Sequence, residues 1–241
     1  MLKQLSDRIF YLPFDDSTDR PNLGYVLGDG RSFAVDAGNS PRHASLFLDQ
    51  LSDHGLPAPS FVGLTHWHWD HTYGMAGFSG SCTVACTRTN EYLQKMMAWK
   101  WDDASMKDRV RTGEDIKFCD THIRREYPDR NEIVVVPADI LFDSCIRFGL
   151  GAVHCEMRRI VNSHSDDCCV VYVPEERFLF AGDIYGEDFH HGWPPKHYPE
   201  KLAVLVGELE RLDFTTVLPG HADPESKDMF LDRLNKQLGR R

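Results

Sequence analysis

The sequence has no long apolar run, and nothing in it approaches the roughly 18–20 consecutive apolar residues that a membrane-spanning helix requires. The first residues, Met1 to Arg8, carry charge early and lack the apolar core of a signal peptide. Blocks of basic residues are also missing, and the formal net charge of −10 argues against a nucleic-acid partner. We therefore expect neither a membrane nor a nucleic acid among the partners of this chain.

The sequence lacks the paired cysteine spacing of a disulfide framework. The seven cysteines are odd in number and scattered through apolar surroundings, which is typical of reduced thiols in a cytoplasm. Cys82 and Cys86 have no matching second pair, so we expect no structural zinc site there. These observations predict a cytoplasmic protein.

The order of predicted elements indicates an α/β fold. In the first third, candidate strands lie at 8–12, 23–27, 32–35 and 61–64, and a helix capped by Ser40-Pro41 ends near Gly55. Later candidate strands lie at 133–136, 140–142, 144–148, 152–157, 169–173, 178–181 and 215–218, with helices at 200–212 and 224–238. Two β-rich halves with helices outside predict an αββα four-layer sandwich of two facing mixed sheets. We expect one domain over residues 1–241.

The segment from 88 to 130 has a different texture and is predicted to be a helical insertion. Strand patterns disappear there and helix-forming residues dominate, with Tyr92, Leu93 and Met96 on an apolar face. The insertion can pack plainly against the core, form a lid or substrate wall, or serve a homodimer contact.

The densest group of potential metal ligands is the sequence Thr-His-Trp-His-Trp-Asp-His at 65–71. Histidine accounts for only 12 of 241 residues, so its concentration here is far from random. Because a strand repeats every two residues, His66 and His68 emerge on the same side just past a strand. If the chain then bends into a turn or helix, Asp70 and His71 can face a second position beside the first. Imidazole and carboxylate together suit zinc, manganese or iron.

This motif resembles that of the metallo-β-lactamase superfamily, and three later pieces match the family in chain order. Val161-Asn-Ser-His164 resembles its isolated third-histidine loop, Phe178-Leu-Phe-Ala-Gly-Asp183 its strand-end aspartate, and Val217-Leu-Pro-Gly-His221 its final histidine. The resemblance covers nearly the whole chain and is weakest over 88–130. Its ligand set is similar to that of glyoxalase II, lactonase and RNase Z relatives.

The resemblance implies two divalent metal ions, zinc in the first place, with manganese or iron as alternatives. It assigns one metal to His66, His68 and His164, the other to Asp70, His71 and His221, and Asp183 to both. It also implies that Asp36 accepts a hydrogen bond and orients the motif loop. A simple turn aspartate is the alternative for Asp36.

Further residues near the implied site each have two interpretations. Lactone-hydrolysing relatives often place a tyrosine near the metals at the position of Tyr185, which makes it a candidate donor to a developing oxyanion. Packing is the alternative for this tyrosine. We interpret His190, His191 and His197 as polar loop residues, with pocket lining as the alternative, and we expect Trp67 and Trp69 to pack in the core.

The function implied by the resemblance is that of a dinuclear metal-dependent hydrolase acting on a small ester, lactone or thioester. A metal-bridging hydroxide would be the nucleophile, Asp70 would hold it or move a proton, and Tyr185 would assist. Asp183 in place of cysteine disfavours the zinc β-lactamases that use cysteine at the second metal. His68 likewise disfavours flavodiiron relatives, and the acidic charge weighs against tRNA as a substrate.

Other functions remain open at this stage. Phosphodiester hydrolysis uses the same chemistry, and iron-dependent sulfur (persulfide) dioxygenases retain much of this ligand set. A non-catalytic metal-binding protein is disfavoured, because a structural site needs four ligands rather than seven. A small molecule is the expected partner, and the sequence does not identify it.

Overall fold

The structure, a computed structural model that describes residues 1–190 and 194–239, is an α/β sandwich of two mixed sheets. The first sheet follows chain order and contains β1 (Lys3–Gln4), β2 (Ile9–Leu12), β3 (Leu23–Leu27), β4 (Ser32–Val35), β5 (Phe61–Gly63), β6 (Cys82–Cys86) and β7 (Ile140–Phe142). Strands β1 to β4 are antiparallel neighbours and β4 to β7 are parallel ones. The predicted fold class is confirmed.

The second sheet is formed by the later part of the chain. Its members are β8 (Cys145–Gly149), β9 (His154–Arg159), β10 (Cys169–Val173), β11 (Phe178–Gly182), β12 (Thr216–Pro219) and β13 (Glu225–Ser226), and its spatial order runs from β13 back to β8. Strands β11 and β12 are parallel, and the other neighbours are antiparallel. The parallel pair brings the ends of two strands to the same edge.

The described residues contain seven α-helices, which lie outside the sheets. They are α1 (Pro41–Asp53), α2 (Trp69–Thr72), α3 (Thr87–Met97), α4 (Asp103–Thr112), α5 (Lys117–Glu126), α6 (Pro199–Arg211) and α7 (Lys227–Gln237). Helix α1 begins as predicted, with Ser40 Oγ accepting a hydrogen bond from the backbone N–H of His43 at 3.1 Å. Within the described residues, no helix is long and apolar enough to span a bilayer.

Three apolar clusters hold the layers together, and strand alternation explains how. In β4, Phe33 and Val35 face the cluster between the sheets, while Ala34 faces the cluster beneath α1 and α3. In β10, Val171 faces the same inter-sheet cluster, and Val170 faces the cluster beneath α6 and α7. Each sheet therefore buries both of its faces.

The prediction of a strand at 133–136 is wrong, since this segment belongs to no strand or helix. Pro137 follows it and has no N–H to donate to a ladder, and β7 occupies the place beside β6 instead. Strand β6 itself was not predicted. The segment 88–130 contains α3, α4 and α5, whose buried residues pack on the cluster beneath α1.

Candidate metal centre

The histidine-rich motif lies at the carboxyl end of β5, where the chain leaves the first sheet. His66 and His68 precede α2, which begins at Trp69, so Asp70 and His71 lie within this short helix. The bend that separates two ligand positions is therefore present. All four of these polar side chains are buried.

Three residues reach the same place from the second sheet. His164 lies in the loop between β9 and β10, Asp183 directly follows β11, and His221 comes just after β12. Because β11 and β12 are parallel neighbours, Asp183 and His221 leave the sheet at one edge. The structure thus brings together all seven residues that the resemblance assigned to metals.

Three histidines form the first group, and their ring nitrogens face one another. His66 Nε2 and His164 Nε2 each lie 3.0 Å from His68 Nδ1. Nitrogens around a tetrahedral zinc with bonds of about 2.0–2.1 Å are spaced by roughly 3.3 Å, so this arrangement fits one cation. Hydrogen bonding explains it less well, because His68 Nδ1 offers a single proton or lone pair to two partners. The carbonyl oxygen of Glu187 accepts a hydrogen bond from His164 Nδ1 at 2.9 Å and orients that ring.

The histidines of the first group are held in the form that binds metals. Burial, with repulsion from neighbouring imidazoles, lowers the pKa of His66 and His68 well below the usual value. Burial also lowers the pKa of His164. Neutral imidazoles have a lone pair available for a cation.

Two aspartates and two histidines form the second group. Asp70 Oδ2 lies 3.1 Å from His71 Nε2 and 3.0 Å from His221 Nε2. Asp183 Oδ2 lies 3.5 and 3.6 Å from the same two nitrogens. Among the described residues, the buried atoms Asp183 Oδ1 and His71 Nε2 have no hydrogen-bond partner. A divalent cation would satisfy these groups, so the residues fit the metals that the resemblance implies.

Asp36 supports the second group from behind, as the resemblance implied. Its carboxylate accepts hydrogen bonds from His71 Nδ1 at 2.8 Å and from the backbone N–H of Thr65 at 2.7 Å. Thr65 Oγ1 lies 3.0 Å from His66 Nδ1. Each of these imidazoles therefore keeps Nε2 toward the centre, which is how outer contacts orient metal-binding histidines.

The carboxylates give the second group a strong attraction for positive charge. Burial disfavours charge on His71, but the surrounding carboxylates, Asp70 foremost, outweigh it and raise the pKa of His71 well above its usual value. Burial likewise opposes charge on His221, yet Asp183 and Asp70 raise the pKa of His221 to about 9. The negative charge that retains these protons is the charge that would bind a metal ion in their place.

A cavity of about 550 Å³ opens onto both groups. His68, Asp70, Asp183 and His221 line its floor, and its walls include Asp19, the start of α5 from Ile116 to Cys119, and Phe189 and His190. The segment 88–130 therefore contributes a wall of the cavity as well as packing. A second cavity of about 660 Å³ adjoins the first and includes His164, Asp183, Tyr185 and His197 in its lining.

Tyr185 lies beside the second group, with its hydroxyl at the backbone of His221. The hydroxyl oxygen accepts a hydrogen bond from the N–H of His221 at 3.3 Å, which leaves its own hydrogen available. Its ring packs against Phe230 and beneath the guanidinium of Arg233. Burial raises the pKa of Tyr185, so this side chain is a neutral donor.

The remaining aromatic and histidine residues are placed as follows. Trp67 and Trp69 are buried in the cluster beneath α1, as expected. His190 lines the first cavity, where its ring lies 4.8 Å from that of Trp67, and His197 lines the second. His191 lies outside the described residues.

Two groups of histidine and aspartate side chains, supplied by both sheets of an αββα sandwich, define a metal-dependent hydrolase. A model of the metallo-beta-lactamase superfamily matches residues 18–221, and the chain belongs to this superfamily.

Solved structures of the same fold are similar to this chain over almost its whole length. A metallo-beta-lactamase from Pontibacter korlensis is 16% identical with a TM-score of 0.66, over 100% of this chain and 99% of that one. A metallo-beta-lactamase family protein from Thermus thermophilus is 20% identical with a TM-score of 0.68, over 98% and 80%. The sec-alkylsulfatase Pisa1 from Pseudomonas sp. is 15% identical with a TM-score of 0.70, over 98% of this chain and 40% of its own. A comparison with curated protein sequences finds no match.

Two contributors to the site were not found from the sequence. Asp19 carries no motif and lies in a loop that the element pattern leaves unassigned, and the carbonyl of Glu187 is a backbone group. The apolar start of α5, Ile116 to Cys119, lies within the segment for which a substrate wall was one of three interpretations. The charge of Asp19 and the apolar side chains near the start of α5 indicate a role in the site only once the fold has placed these residues beside the candidate ligands.

Proposed function

We propose that this protein uses two divalent cations, zinc before manganese or iron, to hydrolyse a small ester, lactone or thioester. The observation that carries the proposal is the position of Asp183, whose Oδ2 lies 3.5 Å from His71, 3.6 Å from His221 and 3.8 Å from His164. One carboxylate therefore reaches both ligand groups. A purely structural site closes around one cation with four ligands, whereas these seven adjoin an open cavity.

When bound, paired divalent cations polarise an acyl oxygen and lower the pKa of water to roughly 7. The protein itself would contribute a charged group, Asp70, and a hydrogen-bond donor, Tyr185, beside the reacting atoms. Asp70 is buried, yet His71 and His221 keep its pKa well below the usual value. It is therefore a carboxylate that can accept a hydrogen bond from the attacking water, and Tyr185 can donate one to the acyl oxygen as negative charge develops.

Replacement of Asp183 tests the shared-ligand assignment. Asp183→Ala should abolish turnover and lower the bound metal, while circular dichroism shows that the helices remain folded. Asp213→Ala, which removes an exposed carboxylate paired with Arg177, is the matched control. Wild-type activity or wild-type metal content in Asp183→Ala would show that the assignment is wrong.

A substrate panel tests the reaction class. The metal-reconstituted protein is assayed with a lactone, a thioester, an aryl ester, a β-lactam and a bis-aryl phosphodiester, and its metal content is measured. Two zinc or manganese ions with turnover of the first three substrates support the proposal. Preference for the phosphodiester would assign the alternative hydrolase, and one iron with oxygen uptake on a persulfide would assign a dioxygenase.

We further infer a cytoplasmic setting with a small molecule as the partner. All seven cysteines lie within the described residues and are free thiols, which is the usual state in a reducing compartment. Fractionation of the native cells, with free-thiol titration of the purified protein, tests this inference.

A further inference from the structure

The loop between β2 and β3 holds Asp19 at the mouth of the cavity. The carbonyl oxygen of Thr18 accepts a hydrogen bond from Asn39 Nδ2 at 2.7 Å. On the other side, Arg20 Nη2 donates to the buried carboxylate of Glu126 at 2.8 Å. The contacts of Thr18 and Arg20 therefore fix the position of Asp19, and the Asp19 side chain takes no part in them.

The backbone of Asp19 adopts a conformation that L residues rarely take. Its φ is 59°, and Asp36 and Arg177 are the other described non-glycine residues with a positive φ. Such a conformation has an energetic cost and often accompanies function. Asp36 uses it to hold the ligand loop, whereas Asp19 makes no hydrogen bond or ion pair with any residue in 1–190 or 194–239. The left-handed turn instead places its carboxylate on the cavity wall.

The carboxylate of Asp19 lies within electrostatic range of the ligand groups. Burial, followed by the nearby charge of Asp70, raises the pKa of Asp19 to about 7. Divalent cations on the cavity floor would reverse this effect and favour the ionised form. The ionised carboxylate of Asp19 would then reduce the positive potential that these cations present to a substrate at the floor.

Positive and apolar groups are distributed unequally over the remaining wall. Among the described lining residues of this cavity other than its histidines, Lys117 carries the positive charge, and its Nζ is tied to Asp120 at 2.7 Å. Phe118 and Phe189 line this cavity and are 53% and 40% exposed, so their rings offer apolar surface to a ligand. The wall therefore offers apolar contacts to an apolar group of the ligand. To an anionic group it offers only Lys117, whose charge is already paired with Asp120.

We propose that Asp19 is a specificity-determining residue that disfavours anionic substrates, so that the cavity selects neutral or cationic compounds whose apolar group packs on Phe118 and Phe189. This inference rests on the proposed hydrolase function and names the substrate class of the same site. Like charges about 12 Å apart at an effective dielectric constant of about 20 repel by roughly 1.4 kcal/mol, a tenfold change in an equilibrium constant. Salt screens charges at such a distance, so discrimination of up to this order is expected at low ionic strength.

The test compares three hexanoyl thioesters that differ only at the chain terminus, which is methyl, ammonium or carboxylate. The wild-type protein should show kcat/KM for the anionic ester about tenfold below that for the neutral one. Asp19→Asn retains size and tolerates a left-handed backbone; it should remove most of this difference by lowering KM for the anionic ester, with a smaller change in KM for the neutral ester. Asp213→Asn, with the same change in net charge far from the cavity, should retain wild-type discrimination.

Binding provides a readout that does not depend on turnover. Calorimetry with hexyltrimethylammonium and hexanesulfonate on the metal-loaded protein should show preference for the cation, which Asp19→Asn reduces about tenfold. Asp19→Gly, which accepts a positive φ without strain, repeats the test if the asparagine variant does not fold. Phe118→Ala should weaken both probes equally, since it removes only apolar contact.

The two proposals fail in different ways. If no ester is hydrolysed but the charge preference in binding depends on Asp19, the reaction is wrong and the specificity role stands. If esters are hydrolysed and Asp19→Asn discriminates among charges as the wild type does, the specificity role is wrong and the hydrolase stands. Preference of the wild type for the carboxylate ester would also overturn the inference.

Discussion

The carboxylate of Asp36 lies 2.8 Å from Nδ1 of His71 and turns the opposite nitrogen of that imidazole toward Asp70 and Asp183. Asp36 itself is held at a φ of 65°, and its other contacts are to Thr65 at the start of the ligand loop. One residue in an unfavourable backbone conformation therefore fixes both the loop and a ligand.

Replacing Asp36 with asparagine should weaken metal binding without removing a ligand. The variant retains size and tolerates the left-handed backbone, but it loses the charge that orients His71. A decrease of roughly 10- to 100-fold in metal affinity is expected, measured by competition with a chromogenic chelator. Asp213→Asn is the control, and equal affinities for Asp36→Asn and wild type would remove the orienting role.

Tyr185 provides a test of hydrogen bonding to the reacting group. Tyr185→Phe keeps the ring against Phe230 and Arg233 and removes only the hydroxyl, so metal content should not change. Loss of an oxyanion donor lowers kcat by roughly 10²–10³-fold, and KM should change much less. If kcat stays at the wild-type value, Tyr185 is a packing residue.

Gly220 should not tolerate a side chain, because it passes directly over a ligand. A Cβ at this position would lie 2.0 Å from Asp183 Oδ1 and 3.1 Å from His71 Cε1. Gly220→Ala should therefore displace the Asp183 carboxylate and reduce both bound metal and activity by an order of magnitude or more. Gly30→Ala is the matched control, since a Cβ there meets nothing within 4 Å. Normal metal content in Gly220→Ala would mean that the strand end can shift freely.

Asp167 should make folding stability depend on pH. Burial raises the pKa of this carboxyl to about 7, from an ordinary value of 3.8. Below pH 4 the group is protonated in both the folded and the unfolded states and has no effect. As pH rises from 4 to 7, the unfolded state releases the proton first, so stability falls.

Asp167→Asn should abolish this pH dependence. Relative to wild type, the stability of the metal-free variant should rise by up to about 4 kcal/mol as pH increases from 4 to 7, offset at every pH by the loss of one of the hydrogen bonds that Ser165 and Thr89 donate to this carboxylate. Urea unfolding at several pH values measures the gain. The exposed neighbour provides the control Asp166→Asn, and parallel pH profiles for Asp167→Asn and wild type would contradict the expected penalty.

Most of the sandwich was predictable because its strands bury apolar residues in recognisable runs. Strand β10 matches the predicted run 169–173, and α1 begins at its predicted cap. The error at 133–136 arose because an apolar β-branched run does not reveal which of two consecutive segments pairs with the sheet. Partner choice depends on the whole sheet, where β7 lies beside β6.

The ligands were predictable for a different reason than the cavity. Six of the seven candidate ligands come soon after an apolar strand and His164 lies in a loop, and their order along the chain matches the family that the sequence resembles. Asp19 has no such local sign, because its importance depends on anchors at Asn39 and Glu126 that lie far away in the chain. Local sequence and the family resemblance therefore predicted which side chains meet at the floor, whereas the lining of the wall required tertiary structure.

The two ligand groups draw on both halves of the sandwich, since His66, His68, Asp70 and His71 follow the first sheet and His164, Asp183 and His221 the second. Cations bound there would link the two sheets through ligands that each sheet supplies. A fluctuation that separates the two sheets would disrupt the metal centre. A chelator that removes the ions would weaken the contact between the sheets. Removal of the cations should therefore lower both the stability and the activity of the protein.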